Sequence, residues 1–181
     1  YVYINNNIPT FTDEEQTLES LEYYSPLDNL GRCGVAFANV SKDTMPTEER
    51  ESISNIEPTG WQSVKYAIVS GGYLYNRCHL IGYQLTGQNN NWKNLMTGTR
   101  HLNDPDMLMY ENEVATYLKS SPSNYVRYRV TPIFRNNELL ARGVEMEGQS
   151  INSNDVHFHV YIFNVQDGVN INYANGTSKA S

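Results

Sequence analysis

His79 closes a short stretch, YNRCHLIGY at residues 75–83, with Arg77 two positions before it and Cys78 between them. Asn94, Asn103 and Glu111 follow downstream. An imidazole, amides, a carboxylate and a guanidinium form a set that can cleave a phosphodiester. The reaction needs a base for the attacking water and charge to stabilise the oxyanion-rich transition state. Histidine suits the base role because its free pKa is about 6.5. An asparagine carbonyl can ligate a hard divalent cation without cancelling its charge, and magnesium needs only one or two protein ligands because it keeps several waters. Glu111 can then hold those waters from behind, and Arg77 can pair with a phosphate oxygen. Taken singly, each residue also has a plainer reading: a structural histidine, loop asparagines, a solvated helix glutamate.

These side chains need elements to place them. YVYINNN begins with strand alternation. In FTDEEQTLESLEYYS, Thr12 and Glu15 have capping-box spacing, so a short helix is expected. RCGVAFANV, residues 32–40, reads as a buried strand, and MPTEERESI as a short helix opened by Pro46. KYAIVSGGYLYNRCHL predicts two strands joined at Gly71-Gly72, a hairpin that delivers His79 at its end. Residues 83–103 form a long polar loop centred on GQNNNWKN, and such loops inside a compact domain are often functional. DPDMLMYENEVATYLKSS predicts a helix with Asp104 as cap, Pro105 at its first position, and Met107, Tyr110, Val114, Tyr117 and Leu118 on one side. On that helix Glu111 lies near the apolar side. Three strand candidates follow, YVRYRVTPIF, ELLARGVEME and VHFHVYIFNV, two with clear alternation. The expected class is α+β with a mainly antiparallel sheet. One domain over residues 1–181 is expected, with 167–181 a poorly ordered tail.

Composition bounds the rest. A chain of 181 residues with 39% hydrophobic content suits one core. The fourteen tyrosines fit half-buried sheet positions whose hydroxyls reach water. No run of about 18 apolar residues occurs, so no transmembrane helix is expected and no membrane partner. The chain opens on tyrosine, which suggests a processed secreted protein or a trimmed one. The net charge of −7 argues against a polyanionic partner, but its distribution argues the other way. Residues 1–57 hold eleven of the acids, and Pro58 to Asn103 hold none while carrying Lys65, Arg77, Lys93 and Arg100. Local field, not net charge, steers a ligand into a cleft.

The segment YNRCHLIGYQLTGQNNNWKNLMTGTRHLN resembles the active-site region of the DNA/RNA non-specific endonucleases, and the wider pattern resembles secreted streptococcal DNases. SPLDNLGRCGVAFANV, MPTEERESI, PTGWQSVKY and VRYRVTPIF are similar to that group too, so the likeness runs from about residue 1 to 166. It implies a ββα-metal fold and a secreted, extracellular, monomeric enzyme. The implied reaction is magnesium-dependent, largely sequence-nonspecific cleavage of DNA, with RNA as a second substrate, leaving a 5′-phosphate; manganese or calcium would be substitute ions. On this resemblance His79 is the general base, Asn103 the direct metal ligand, Glu111 the residue that orients the metal's waters, Asn94 a supporting asparagine and Arg77 the motif arginine. Arg77, Lys93 and Arg100 would bind nucleic acid. Asn76 stands where the family carries aspartate, and Cys78 where it carries glycine. A Cys33–Cys78 bond would explain the second change as a local brace; a buried thiol is the plainer reading.

Competing readings are a binding domain on the same fold that has lost turnover, and an acidic surface protein whose NNNWKN loop binds a host partner. His157 and His159 share a strand face and could bind a transition metal if a third ligand joined them. A zinc-type cysteine framework, a phosphate-binding glycine loop and a G-x-S-x-G elbow are all missing.

Overall fold

The computed structural model describes residues 1–181. Its elements in chain order are β1 (Val2–Tyr3), β2 (Leu21–Tyr24), β3 (Ala36–Val40), β4 (Tyr75–His79), α1 (Tyr83–Thr86), β5 (Leu95–Thr99), α2 (Leu108–Ser120), β6 (Val126–Ile133), β7 (Gly143–Ser150), β8 (His157–Phe163), β9 (Val169–Ile171) and β10 (Ser178–Ala180). Six strands form one sheet in the order β1-β8-β7-β6-β3-β2, every pairing antiparallel. With two helices beside it, the class is α+β. No helix is long and apolar enough to cross a membrane.

The sheet follows from side-chain alternation. Val126, Tyr128 and Val130 on β6, and Phe158, Val160 and Ile162 on β8, turn inward into a core of 25 buried residues. Arg127, Arg129, His157 and His159 take the other face. On that outer face Phe37, Arg129, Glu147 and His159 stand in register across four strands. The N-terminal segment covers them, and its Thr12–Glu15 capping box forms as expected, around a single 3₁₀ turn. Helix α2 buries Tyr110, Val114, Ala115 and Leu118 against the inner face, and Glu111 lies on that same buried side.

Four local expectations change. MPTEERESI is not helical: residues 45–53 are irregular, with bends only at Met45, Thr47 and Glu48. Nine residues with only Met45 and Ile53 as flanking apolar anchors cannot repay helix nucleation. The partner of β4 is β5, not the segment before it. Gly71 and Gly72 do turn, both with positive φ, but the preceding chain curls through Tyr66–Val69 and leaves one bridge, Lys65 to Tyr73. The polar stretch 83–103 holds α1, a 3₁₀ turn at Trp92–Asn94 and all of β5, whose residues are buried on both sides and so show no alternation. Finally, residues 167–181 form the β9–β10 hairpin, tied to the body by Tyr75 Oη donating to the Gly176 carbonyl and by Leu140 N donating to Tyr173.

Candidate active site

β4 and β5 pair so that His79 faces Leu95 and Arg77 faces Thr97. Asn94 fixes the chain just beyond β4. Fully buried, it accepts from Ile81 N at 2.9 Å and donates to Ile81 O at 2.9 Å, acting as a side-chain staple on the backbone as it leaves His79. It does not line the cavity itself.

His79 is 5% exposed. Its Nε2 lies 3.0 Å from the Asn89 carbonyl oxygen, which can only accept, so Nε2 carries the proton. In the neutral ring that leaves Nδ1 as an acceptor. That acceptor is used: Arg50 donates a terminal N–H to Nδ1 at 3.3 Å. Burial lowers the histidine's pKa below its ordinary value and Arg50 lowers it further, against the pull of the Asn89 carbonyl. The ring is therefore held neutral with its accepting nitrogen turned toward a cavity of about 230 Å³ lined by Arg50, His79, Gly82, Arg100, Asn103 and Glu111.

Asn103 comes from a widened turn, Leu102–Met107, that precedes α2; the regular helix begins at Leu108, not at Pro105. Asp104 is extended, which breaks the helical ladder there. Wide turns of this kind recur at functional sites. Asn103 Nδ2 donates to Asn76 Oδ1 at 3.2 Å. The asparagine that stands in place of the family's aspartate thus orients the candidate ligand, leaving its carbonyl oxygen turned elsewhere. The Cys78 thiol donates to that oxygen at 3.3 Å, using one of its two lone pairs.

Cys33 and Cys78 are both free and buried, so no disulfide braces the hairpin. Burial pushes the Cys78 thiol well up, which keeps it protonated. Room for it comes from across the pair: a Cβ on Gly98 would lie 2.9 Å from the Cys78 Cβ.

Glu111 is buried and has no hydrogen-bond partner in the protein; its carboxyl is pushed up to about 7, by burial, with Arg50 opposing. Gly82 leaves this carboxyl room, since a Cβ there would lie 2.8 Å from Glu111 Oε2. A buried carboxylate without a partner is expensive. Together with the spare lone pair of Asn103, it makes a donor set that fits a hydrated hard cation.

The remaining expected residues divide. Arg100 lines the cavity and pairs with Asp104 at 3.3 Å. Lys93 is exposed in the Trp92–Asn94 turn and does not line it. Arg77 points elsewhere: its Nε donates to the Ile56 carbonyl and its guanidinium stacks 4.0 Å from the Trp61 ring centroid, in a neighbouring cavity. Arg50 carries no signal in the sequence. Flanked by Glu48, Glu49 and Glu51, it reads as part of a solvated charged run. Two contacts pin that loop over the histidine: Glu51 N donates to Asn89 Oδ1, and Tyr83 Oη donates to the Glu48 carbonyl.

A second cluster meets the distance criterion for a metal. Ligand atoms of Glu145, Glu147 and His159 lie within 4.8 Å of one another. Its capacity is already used. Glu147 accepts from Thr10 N and Oγ1 on one oxygen and from Arg129 on the other. His159 faces the Ile8 carbonyl with Nδ1 and Glu145 with Nε2. His157, on the same strand face, is not part of the group.

A family model described as DNA/RNA non-specific endonuclease matches residues 11–152. A deoxyribonuclease of Streptococcus dysgalactiae subsp. equisimilis is 27% identical over 206 positions, covering 91% of this chain; the chain spans 62% of that relative's length. Among solved structures, NucA from Streptococcus agalactiae with magnesium bound superposes with a TM-score of 0.86 at 25% identity, over 98% of this chain and 85% of that one. Sda1 nuclease with bound zinc gives 0.78 at 31% identity, over 89% and 81%.

Proposed function

The chain belongs to the DNA/RNA non-specific endonuclease family, and from that premise we propose that it hydrolyses phosphodiester bonds of DNA, and of RNA, with His79 as general base and a divalent cation, magnesium by preference, as cofactor. The observation that carries this reading is the state of His79. Its Nε2 proton is committed to the Asn89 carbonyl, and Nδ1 is fixed as an acceptor, satisfied by Arg50 on the wall of the cavity that holds Asn103 and the partnerless Glu111.

Nδ1 takes the proton of the attacking water once Arg50, which donates to it here, turns to the phosphate; a ring kept neutral by burial is ready to do so at neutral pH. Arg50, 3.3 Å from Nδ1, and Arg100 across the cavity bring two guanidinium groups to the scissile phosphate. Asn103 would hold the cation and Glu111 would steady its hydration shell; bound there, the ion would supply positive charge to the phosphate. Asn76 and Cys78 set the direction of the Asn103 amide. Asn94 supports the turn that carries His79. Products ending in a 5′-phosphate follow from the family's mode of cleavage. Relatives of known structure include an extracellular nuclease and an extracellular endonuclease, and secretion of this chain is part of the same proposal.

Plasmid DNA incubated with the protein and Mg²⁺ is expected to be degraded, and EDTA to stop the reaction. Degradation that proceeds unchanged in EDTA, or none under any divalent cation, would defeat the proposal. Backbone-directed binding should also weaken steadily with added salt.

A further inference from the structure

Beside the catalytic cavity lies a larger one, of about 640 Å³, which is in the range of roughly 300–1,000 Å³ typical of ligand clefts. Trp61, Tyr73, Tyr75, Asn76 and Arg77 line it. Asn76 joins the two cavities, because it lines this one and accepts from Asn103, which lines the other. Arg77 precedes His79 by two residues, about 7 Å along a strand. A nucleic-acid strand rises about 3.4 Å per nucleotide when stacked, so this cavity lies one or two nucleotides from the bond that His79 would cut.

Its chemistry is flat and cationic. The Arg77 guanidinium lies over the Trp61 ring at 4.0 Å, and the Lys65 ammonium lies over the Tyr73 ring at 4.6 Å. Nε of Arg77 is committed to the Ile56 carbonyl, but its two terminal nitrogens have neither a hydrogen bond nor a carboxylate partner in the protein. Glu57, the one acid on the lining, is not paired with it. Trp61, Lys65, Tyr73 and Arg77 all come from the acid-free window 58–103. Tyr73 is 47% exposed, a large aromatic face turned to solvent.

We infer that this cavity is a nucleobase subsite: it stacks an unpaired base one or two nucleotides from the scissile bond and holds that nucleotide's phosphate on the terminal nitrogens of Arg77. The inference rests on the endonuclease reading of the adjoining cavity. Aromatic rings and guanidinium planes stack any base, which suits an enzyme tolerant of sequence. A base inside an intact duplex is covered on both faces by its neighbours, so the subsite favours single-stranded, frayed or unstacked substrate.

Tryptophan emission reads the subsite independently of turnover. The sequence has two tryptophans, and Trp92→Phe leaves Trp61 alone. In a protein carrying Trp92→Phe and His79→Ala, titration with tetrathymidylate at low salt is expected to quench the emission saturably, and inorganic phosphate is not. Tyr73→Ala, at an exposed position that does not threaten the fold, should weaken this binding roughly tenfold. In turnover the same substitution should lower the kcat/KM ratio of tetrathymidylate to bis(p-nitrophenyl) phosphate, a diester without bases, by a similar factor. Absence of quenching while the wild type still degrades plasmid overturns the subsite and leaves the endonuclease reading standing. An equal quench by phosphate alone, or an unchanged ratio in Tyr73→Ala, also overturns it. Saturable quenching by a wild type that cuts nothing under any divalent cation defeats the endonuclease reading and keeps the subsite.

Discussion

The molecule sets a buried histidine beside buried glutamate chemistry twice, and the two sites differ in how much hydrogen-bonding capacity they leave unfilled. On the outer face of the sheet, Glu147 receives Thr10 and Arg129, and His159 spends both nitrogens on Ile8 and Glu145. In the cavity between β4 and α2, His79 donates to Asn89 and accepts from Arg50, but Asn103 keeps a lone pair and Glu111 has no hydrogen-bond partner. The ionised form is favoured at the first site: hydrogen bonds from Thr10 and Arg129 outweigh burial and hold the Glu147 carboxyl below its usual range. At the second, burial prevails and lifts Glu111 to about 7. Residue type and proximity alone would rank the outer cluster as the better metal site. Unspent donors and acceptors, at a standing energetic cost, point to the cavity instead.

The comparison predicts which site answers in activity and which in stability. His79→Ala should lower kcat about 10²–10⁴-fold, the usual reach of general-base catalysis, while thermal unfolding stays close to wild type. Retention of full activity by that variant would end the catalytic assignment. Glu147→Ala should do the reverse, leaving Arg129 and Thr10 without their acceptor. Breaking such a buried pair costs about 3–5 kcal/mol, measured as a lower denaturant midpoint with kcat per folded molecule unchanged. A loss of metal-dependent activity in folded Glu147→Ala would mean that the outer cluster, not the cavity, holds the cofactor. Asn103→Ala should reduce metal-dependent activity by at least about 10–100-fold, with partial recovery as Mg²⁺ is raised.

These contrasts also explain what the sequence could and could not disclose. His79 and Glu111 were legible because two periodic elements carry them, a strand that ends at the imidazole and an amphipathic helix whose buried side includes position 111; Asn103, in the irregular turn before that helix, was reached through the family resemblance. Sheet faces were legible from alternation for the same reason. Arg50 was not, because its place depends on a non-periodic loop held by Glu51 N to Asn89 and by Tyr83 to Glu48, contacts more than thirty residues apart. Arg77 shows the opposite limit. Strand period gave its face correctly, but Trp61 and Ile56, from a distant turn, capture it before it reaches the histidine's cavity. The β9–β10 hairpin escaped notice because distant contacts hold it, including Arg142 over the Tyr173 ring, while its own pattern is weakly apolar.

The smallest expected effect is the dependence of stability on pH, and here the two sites should pull in opposite directions. Glu147 has a depressed folded pKa, so its contribution is present above the unfolded value near 4.5 and is lost as pH falls through the folded one. Glu111 has a raised folded pKa, so its contribution is present below about 4.5 and is lost as pH climbs through about 7. His79 complicates the second window. Its lowered folded pKa means that stability from this group falls as pH drops below the unfolded value near 6.5, which opposes Glu111. The clean measurement is therefore a difference: unfolding free energy in EDTA at pH 5.5 and 7.5, wild type against Glu111→Gln. The wild type should lose of order 2 kcal/mol more than the variant over that interval. Mg²⁺ should shrink the gap, because a cation beside Glu111 favours the charged carboxylate that burial disfavours. A wild type and a Glu111→Gln variant with parallel profiles would show that the glutamate is already satisfied, and the distinction between the two sites would lose its electrostatic basis.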